Sequence, residues 1–360
     1  MTKEEQLAQE LRRKWEEMEN TEVKIALVGQ PGSGKSSLIN ALLGKKLFEV
    51  GVHTDTTVTA QEEKFGDLII TDLPGYGTGR FPINEWVKEF KPEEYDLYIF
   101  VFSGKLHDSD AELFKYLKQW QEERNHPFFV VRNKVDEIWD EDKTLEELQS
   151  IIRKDVKDKM ADNNAKVYFT SCRKRTGLDE LKDDIFASDI LKVKKDKIIE
   201  AFKANTVKDL DAKKAVCLDK VDTYAYMSAA NALNPIPGVD ISVDIGIAFK
   251  LMDEIRQAFG LEDVEKLKKY EILAPFAKKL IDEVLKYTTK EGIILVLKKY
   301  ASKIIRNKLA KYIPFAGQMV AAIAGYTMIE YLGKEYVDAC YELSKLILEK
   351  VVDDNTAIKG

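Results

Sequence analysis

The chain has 360 residues, a formal net charge of −6 and 45% hydrophobic residues. That is too long for one ordinary domain and enough apolar material for two cores, and the acidic balance excludes a general electrostatic drive toward nucleic acid. Its three cysteines, Cys172, Cys217 and Cys340, lie far apart with neither metal spacing nor a disulfide framework, which fits a reducing compartment.

Residues 3–20 read as a charged helix with Leu7, Leu11, Trp15 and Met18 along one side, a stripe expected to pack on another helix of the chain. This start has no apolar leader region, position 2 is Thr2 rather than the glycine of N-myristoylation, and the final AIKG has no prenylation cysteine. A cytoplasmic location is expected. Val23–Val28 (VKIALV) follows as a buried strand, and Ser37–Leu43 (SLINALL) as a helix. Between them Gly29-Gln30-Pro31-Gly32-Ser33-Gly34-Lys35-Ser36 fits G-x-x-x-x-G-K-[ST], the phosphate-cradling loop. Glycines let the backbone wrap phosphate with its N–H groups inward, and the helix N-terminus adds positive potential. Lys35 is expected on the β- and γ-phosphates and Ser36 on Mg²⁺. Gly29, Gly32, Ser33, Gly34 and Ser37 complete this part of the expected site.

Gly51–Thr59 (GVHTDTTVT) lies where GTPases keep their first switch. A threonine hydroxyl there is expected to ligate Mg²⁺ while its N–H meets the γ-phosphate; Thr57 is the first choice and Thr56 the second. A Thr-rich run is also a common edge strand. Leu68–Thr71 is a short strand running into Asp72-Leu73-Pro74-Gly75, a D-x-x-G arrangement in which Asp72 holds Mg²⁺ through water and the Gly75 N–H bonds the γ-phosphate. Loss of that phosphate would release both loops, the physical basis of a switch. Tyr76 follows, where Ras-like enzymes place the glutamine that orients the attacking water. A phenol cannot replace the paired donor and acceptor of an amide, and its bulk is expected to turn it away from the phosphate. Slow intrinsic hydrolysis follows unless another group positions water; His53, Asp55, Gln61, Glu62 and Glu63 are candidates, and none stands out.

Helices are expected at Ala111–Glu123 and Leu145–Met160, and a strand at Phe128–Val131. That strand runs into Asn133-Lys134-Val135-Asp136, matching N-K-x-D. The Asp136 carboxylate can accept both N1–H and N2–H of guanine; adenine offers no such pair and would leave the carboxylate unpaired. The strand Val167–Thr170 leads to Ser171-Cys172-Arg173, where GTPases put the loop that contacts guanine O6; Ser171 and Cys172 join the expected site. Four motifs in order, each after a strand, imply a GTP/GDP–Mg²⁺ site with Lys35, Thr57 and Gly75 as its catalytic core. The alternation of strands and helices over residues 21–190 implies an α/β fold: a P-loop GTPase domain with a doubly wound, mostly parallel sheet. Residues 1–20 form an N-terminal helical segment, and residues 191–360 an all-helical domain punctuated by Asn234–Gly238, Pro275 and Ile313–Gly317.

This order of parts resembles the immunity-related (interferon-inducible) GTPase family and its bacterial relatives. GQPGSGKSSLINALLG and TDLPGYGTGRFP are similar to its first and third motifs, and NPIPGVDISVDIGIAFKLMDEIRQAFGL and YIPFAGQMVAAIAGYTMIEYL to its helical-domain segments. The sequence departs from many vertebrate members at Asn133, where they carry threonine, and at Thr71, where they carry tryptophan. The resemblance implies self-assembly as a homodimer or oligomer through the GTPase domain, with a switch or partner group completing the catalytic site, and action at membranes. Tyr312–Ile329 carries no charged residue but includes Pro314, Gly317 and Gly325, so burial in the helical domain is expected rather than a membrane span. Basic residues outnumber acids over Lys278–Lys311, which suits an anionic membrane surface as a peripheral partner and equally a solvated helical face. The alternative class is a ribosome- or RNA-associated assembly GTPase; the acidic charge and the lack of an appended RNA-binding module make nucleic acid an unexpected partner.

Overall fold

A computed structural model describes residues 3–49, 60–77, 82–233, 242–273, 277–296 and 317–357. These fall into two compact units, residues 21–203 and the combination of residues 1–20 with 204–360.

The first unit is built on a six-stranded sheet of order β2-β3-β1-β4-β5-β6. The strands are β1 (Val23–Val28), β2 (Gln61–Phe65), β3 (Leu68–Asp72), β4 (Leu97–Phe102), β5 (Phe128–Arg132) and β6 (Val167–Phe169). All neighbours pair in parallel except β2, an edge strand antiparallel to β3. β4, LYIFVF, is buried at every position, as a strand covered on both faces must be. The strand period of two sorts the core. Ile25, Leu27, Ile99, Val101 and Val131 face one side, with Leu38, Ile39 and Leu42 of α2 (Lys35–Leu43) and Leu181 and Ile185 of α6 (Leu178–Ala187). Ala26, Val28, Tyr98, Phe100 and Val130 face the other. There they meet Trp86 of α3 (Ile83–Phe90), Leu113 and Phe114 of α4 (Asp108–Arg124) and Val156 of α5 (Leu145–Met160). α5 starts where a T-x-x-E capping box dictates: the Glu147 N–H donates to Thr144 Oγ1 and the Thr144 N–H to Glu147 Oε2. β3 lies on one side of β1 and β4 on the other, so the connections diverge at the carboxyl end of β1, where open α/β sheets bind ligands.

The expected boundary at residue 190 falls too early. α7 (Lys192–Ala201) puts Ile198 into the sheet core, and Phe202 follows it there. The Lys203 N–H donates to the Leu42 carbonyl at 2.8 Å, so the unit ends only at Lys203. Helical periodicity alone cannot distinguish a helix that covers a sheet from one that starts a bundle.

The second unit is helical. Its helices include α1 (Lys3–Asn20), α8 (Val207–Leu233), α9 (Ser242–Ala258), α10 (Val264–Leu273), α11 (Lys278–Leu285) and α12 (Gly317–Ala357). The N-terminal helix is part of this bundle and not a segment of its own. Its buried side runs through Ala8, Leu11, Trp15 and Met18, while Leu7 is 50% exposed. Trp15 sits edge-on to Tyr224 of α8. α8 and α12 approach closely: a Cβ at Gly325 would lie 2.6 Å from Ser228 Oγ, and one at Gly333 2.6 Å from Val221 Cγ1. Of Tyr312–Ile329, positions 312–316 lie outside the described residues; the remainder opens α12, where Ala322 and Ile329 are buried and Ile323 is exposed. No described helix is long and apolar enough to cross a membrane. The punctuation at 234–238, 275 and 313–316 also lies outside the described residues.

Candidate nucleotide site

The motif loops leave the carboxyl ends of β1, β3, β5 and β6 and meet at one edge of the sheet. α2 begins at Lys35 with Gly34 as its N-cap and no capping side chain, and its first hydrogen bond runs from the Leu38 N–H to the Gly34 carbonyl. The earlier N–H groups of Lys35, Ser36 and Ser37 are therefore left for an anion. Gly34 adopts φ +91°, and a Cβ there would collide with Asn133 Nδ2.

Lys35 is only 5% exposed. Its Nζ donates to the Gly29 carbonyl at 3.0 Å and stands 3.4 Å from Asp72 Oδ1. Burial lowers the ammonium pKa and the Asp72 charge opposes that shift, so this cation has more to gain from a phosphate than an exposed lysine would. Ser36 Oγ donates to Asp72 Oδ2 at 2.8 Å. One hydroxyl and one carboxylate side by side suit Mg²⁺, which keeps waters and phosphate oxygens in its shell and seldom uses an all-protein cage. No cluster of three or more His, Cys, Asp or Glu able to hold a metal occurs among the described residues. Ser33 Oγ is buried without a hydrogen-bond partner.

Past Asp72, the backbone at Gly75 presses on the phosphate loop: a Cβ there would lie 2.8 Å from Pro31 Cδ. Gln30 Nε2 donates to the Tyr76 carbonyl at 3.2 Å. The phosphate loop thus holds the second switch by a side chain at a position the motif leaves open, and sequence reading gave Gln30 no role. Tyr76 itself is fully buried. Its ring lies edge-on to Trp86 and its hydroxyl donates to Asp110 Oδ1 at 2.5 Å. The other Asp110 oxygen accepts the His107 N–H at 2.6 Å and caps α4, and Trp86 Nε1 donates to the Pro74 carbonyl at 2.9 Å. Tyr76 is an anchor of the switch and points away from the phosphate loop into the core.

Asn133 is anchored on the phosphate loop. It is 2% exposed, and its Nδ2 donates to the Ser33 and Gly34 carbonyls at 3.1 and 3.4 Å. Its Oδ1 accepts from Thr170 Oγ1 at 3.2 Å and Cys172 Sγ at 3.5 Å. One amide therefore ties the base-reading loops to the phosphate loop, and Thr170 is a second residue the motifs did not reveal. Lys134 takes the left-handed conformation at φ +57°, which lets the chain turn so that the Val135 N–H reaches the Thr170 carbonyl. Asp136 Oδ1 accepts from Ser171 Oγ at 2.5 Å, and Oδ2 pairs with Arg173 Nε at 3.0 Å. The Ser171 bond, with help from Arg173, holds the carboxyl below its ordinary pKa and so ionised for an N–H donor. Burial pushes the Cys172 thiol up to about 11, so at neutral pH it serves as a small neutral wall.

Of the expected water-positioning groups, Gln61, Glu62 and Glu63 lie exposed on β2, with Gln61 in register with Asp72. Thr56, Thr57, His53 and Asp55 lie outside the described residues.

The family model described as Interferon-inducible GTPase (IIGP) matches residues 3–358. The chain belongs to this family. It is 26% identical to the mouse (Mus musculus) Interferon-gamma-inducible GTPase 10 over 93% of this chain and 83% of that protein. It is 25% identical to the mouse T-cell-specific guanine nucleotide triphosphate-binding protein 2, over 89% and 80%. A shorter likeness, 31% identity over 31% of this chain and 40% of the relative, joins it to GTPase Era of Clostridium novyi. Among solved structures, a probable GTP-binding protein engB aligns at 21% identity and TM-score 0.34, over 46% of this chain and 97% of that one. As a member of the interferon-inducible GTPase family, the chain binds guanine nucleotide and hydrolyses GTP.

Proposed function

We propose that this interferon-inducible GTPase family member is a Mg²⁺-dependent, self-associating GTPase that is cytoplasmic and acts peripherally at anionic membranes. The observation that carries the self-association is the burial of Tyr76. The residue after the γ-phosphate glycine is committed to Asp110 and Trp86, so the usual position for orienting water contributes nothing to it. Water has to be oriented by another group, from the first switch (Gly51–Thr59) or from a second copy docked on the nucleotide face.

In this reading Lys35 and the first N–H groups of α2 hold the β- and γ-phosphates, and the Gly75 N–H, steadied by Pro31 and Gln30, meets the γ-phosphate. Ser36, Asp72 and Thr57, with Thr56 as the alternative, hold Mg²⁺, which when bound supplies charge neutralisation at the phosphates. Asn133 and Lys134 set the base loop, and Asp136 with Ser171 selects guanine.

Support for the membrane part is chemical: the basic excess of Lys278–Lys311 in sequence, and the exposed apolar side chains Ile323, Tyr226 and Tyr331 of the helical unit. The net charge of −6 weighs against an RNA partner.

Two measurements test the proposal. Turnover per molecule should rise with protein concentration, and a flat rate over a wide range removes the dimer. Sedimentation with phosphatidylserine vesicles should depend on a non-hydrolysable GTP analogue; co-sedimentation with ribosomes and not with vesicles replaces the membrane reading with the ribosomal one.

A further inference from the structure

The Asp136 carboxylate carries a partner that the guanine-reading motif does not call for. Ser171 takes one bond at Oδ1, which leaves acceptor capacity there for a base N–H. At Oδ2 stands the Arg173 guanidinium, with Nε 3.0 Å away. The N1–C2–N2 edge of guanine is itself a planar row of N–H donors on one carbon, the same pattern a guanidinium presents. The acid selected to accept that edge is therefore equally suited to accept Arg173.

The two ends of this pair are unequal. The Asp136 side chain is 5% exposed and fixed by Ser171, whereas the Arg173 side chain is 77% exposed and rooted in a loop that continues with the exposed Lys174 and Arg175. Only the arginine is free to move aside.

We propose that Arg173 is a positioning residue of the base site, whose guanidinium competes with the guanine edge for Asp136 Oδ2 and so controls the rate at which the base docks. The proposal rests on Asp136 being the guanine reader. The guanidinium stands beside Oδ2, where the second N–H of the guanine edge would dock, so in this proposal guanine docks when Arg173 swings out to solvent. Ion pairs with one exposed partner cost little to open, so the expected brake is about two- to five-fold in rate. Its sign is diagnostic. Removing one charge from the basic run Arg173-Lys174-Arg175 would by electrostatics alone slow the arrival of an anionic nucleotide. Competition requires the opposite.

Stopped-flow association of a fluorescent GDP analogue with the full chain tests this. Arg173→Ala should bind about two- to five-fold faster than the parent, and Arg173→Lys, which keeps the charge and loses the planar fork, should also be faster. In an Asp136→Asn background read with the xanthosine analogue, adding Arg173→Ala should produce no acceleration, because the carboxylate that holds the guanidinium is gone. Unchanged or slower GDP association in Arg173→Ala overturns the proposal, as does equal acceleration in both backgrounds. If Asp136→Asn fails to shift preference from guanosine to xanthosine nucleotide, the reading of Asp136 falls and Arg173 with it. A clean shift with no rate effect removes Arg173 alone.

Discussion

The two units differ in how one polar cluster in each is satisfied. In the helical unit a cluster around Tyr224 closes on itself, although Trp15 Nε1 and Asn231 Oδ1 lie buried without a hydrogen-bond partner. The Tyr224 hydroxyl lies 2.7 Å from Glu19 Oε1 and 2.9 Å from Glu254 Oε1, Lys220 pairs with Glu254, and Lys250 pairs with Glu19 while lying over the Trp15 ring. This network binds α1 to α8 and α9 and leaves little for a ligand. In the GTPase unit the buried Lys35 has a backbone carbonyl and a more distant carboxylate, and the α2 N-terminus has no capping side chain. The phosphate loop keeps donors unsatisfied by the protein where a ligand is to bind, whereas the Tyr224 cluster satisfies its own and holds helices together.

That contrast can be broken most sharply at Lys35. Lys35→Ala should weaken GTP binding by about a hundredfold, since charge-assisted bonds to the triphosphate are worth about 3 kcal/mol, and should leave the fold intact. Calorimetry with GTP and Mg²⁺ decides, and retained affinity would remove Lys35 from the phosphate site. The helical unit should respond the other way. Gly333→Leu drives a side chain into Val221 at a close approach of α8 and α12 and should cost about 1–3 kcal/mol in denaturant unfolding, with GDP affinity unchanged. A matching loss of nucleotide affinity would show that the units are energetically coupled. The smallest effect is expected at Tyr76→Phe, which removes the hydroxyl bond to Asp110 and keeps the ring on Trp86. Stability should fall by about 1–2 kcal/mol with kcat retained, and a collapse of kcat at full nucleotide affinity would make Tyr76 a catalytic residue after all.

Much of the GTPase unit is local in origin and so legible beforehand. β1 and α5 stand where the apolar run and the alternation of strands and helices put them, and β3 and β5 run into the motif residues Asp72 and Asn133 as expected. The interior strand β4 and the edge strand β2 carry no motif. β4 is a continuous apolar run, which by itself fits a buried strand or a buried helix. β2, exposed from Gln61 to Lys64, exists only because β3 offers it a free edge.

By itself, the sequence determined the chemistry of the pocket. The order of four short motifs after strands names the ligand, because backbone curvature at glycine, one lysine and one carboxylate are properties of residues and their spacing. Tertiary structure alone decided how those residues divide the work. Asn133 braces the phosphate loop from about a hundred positions away, Gln30 grips the second switch, Tyr76 turns inward to Asp110, and α7 covers the sheet it was expected to leave. Each of these depends on which side chains the sheet order brings within hydrogen-bond distance, and no local pattern along the chain encodes that distance.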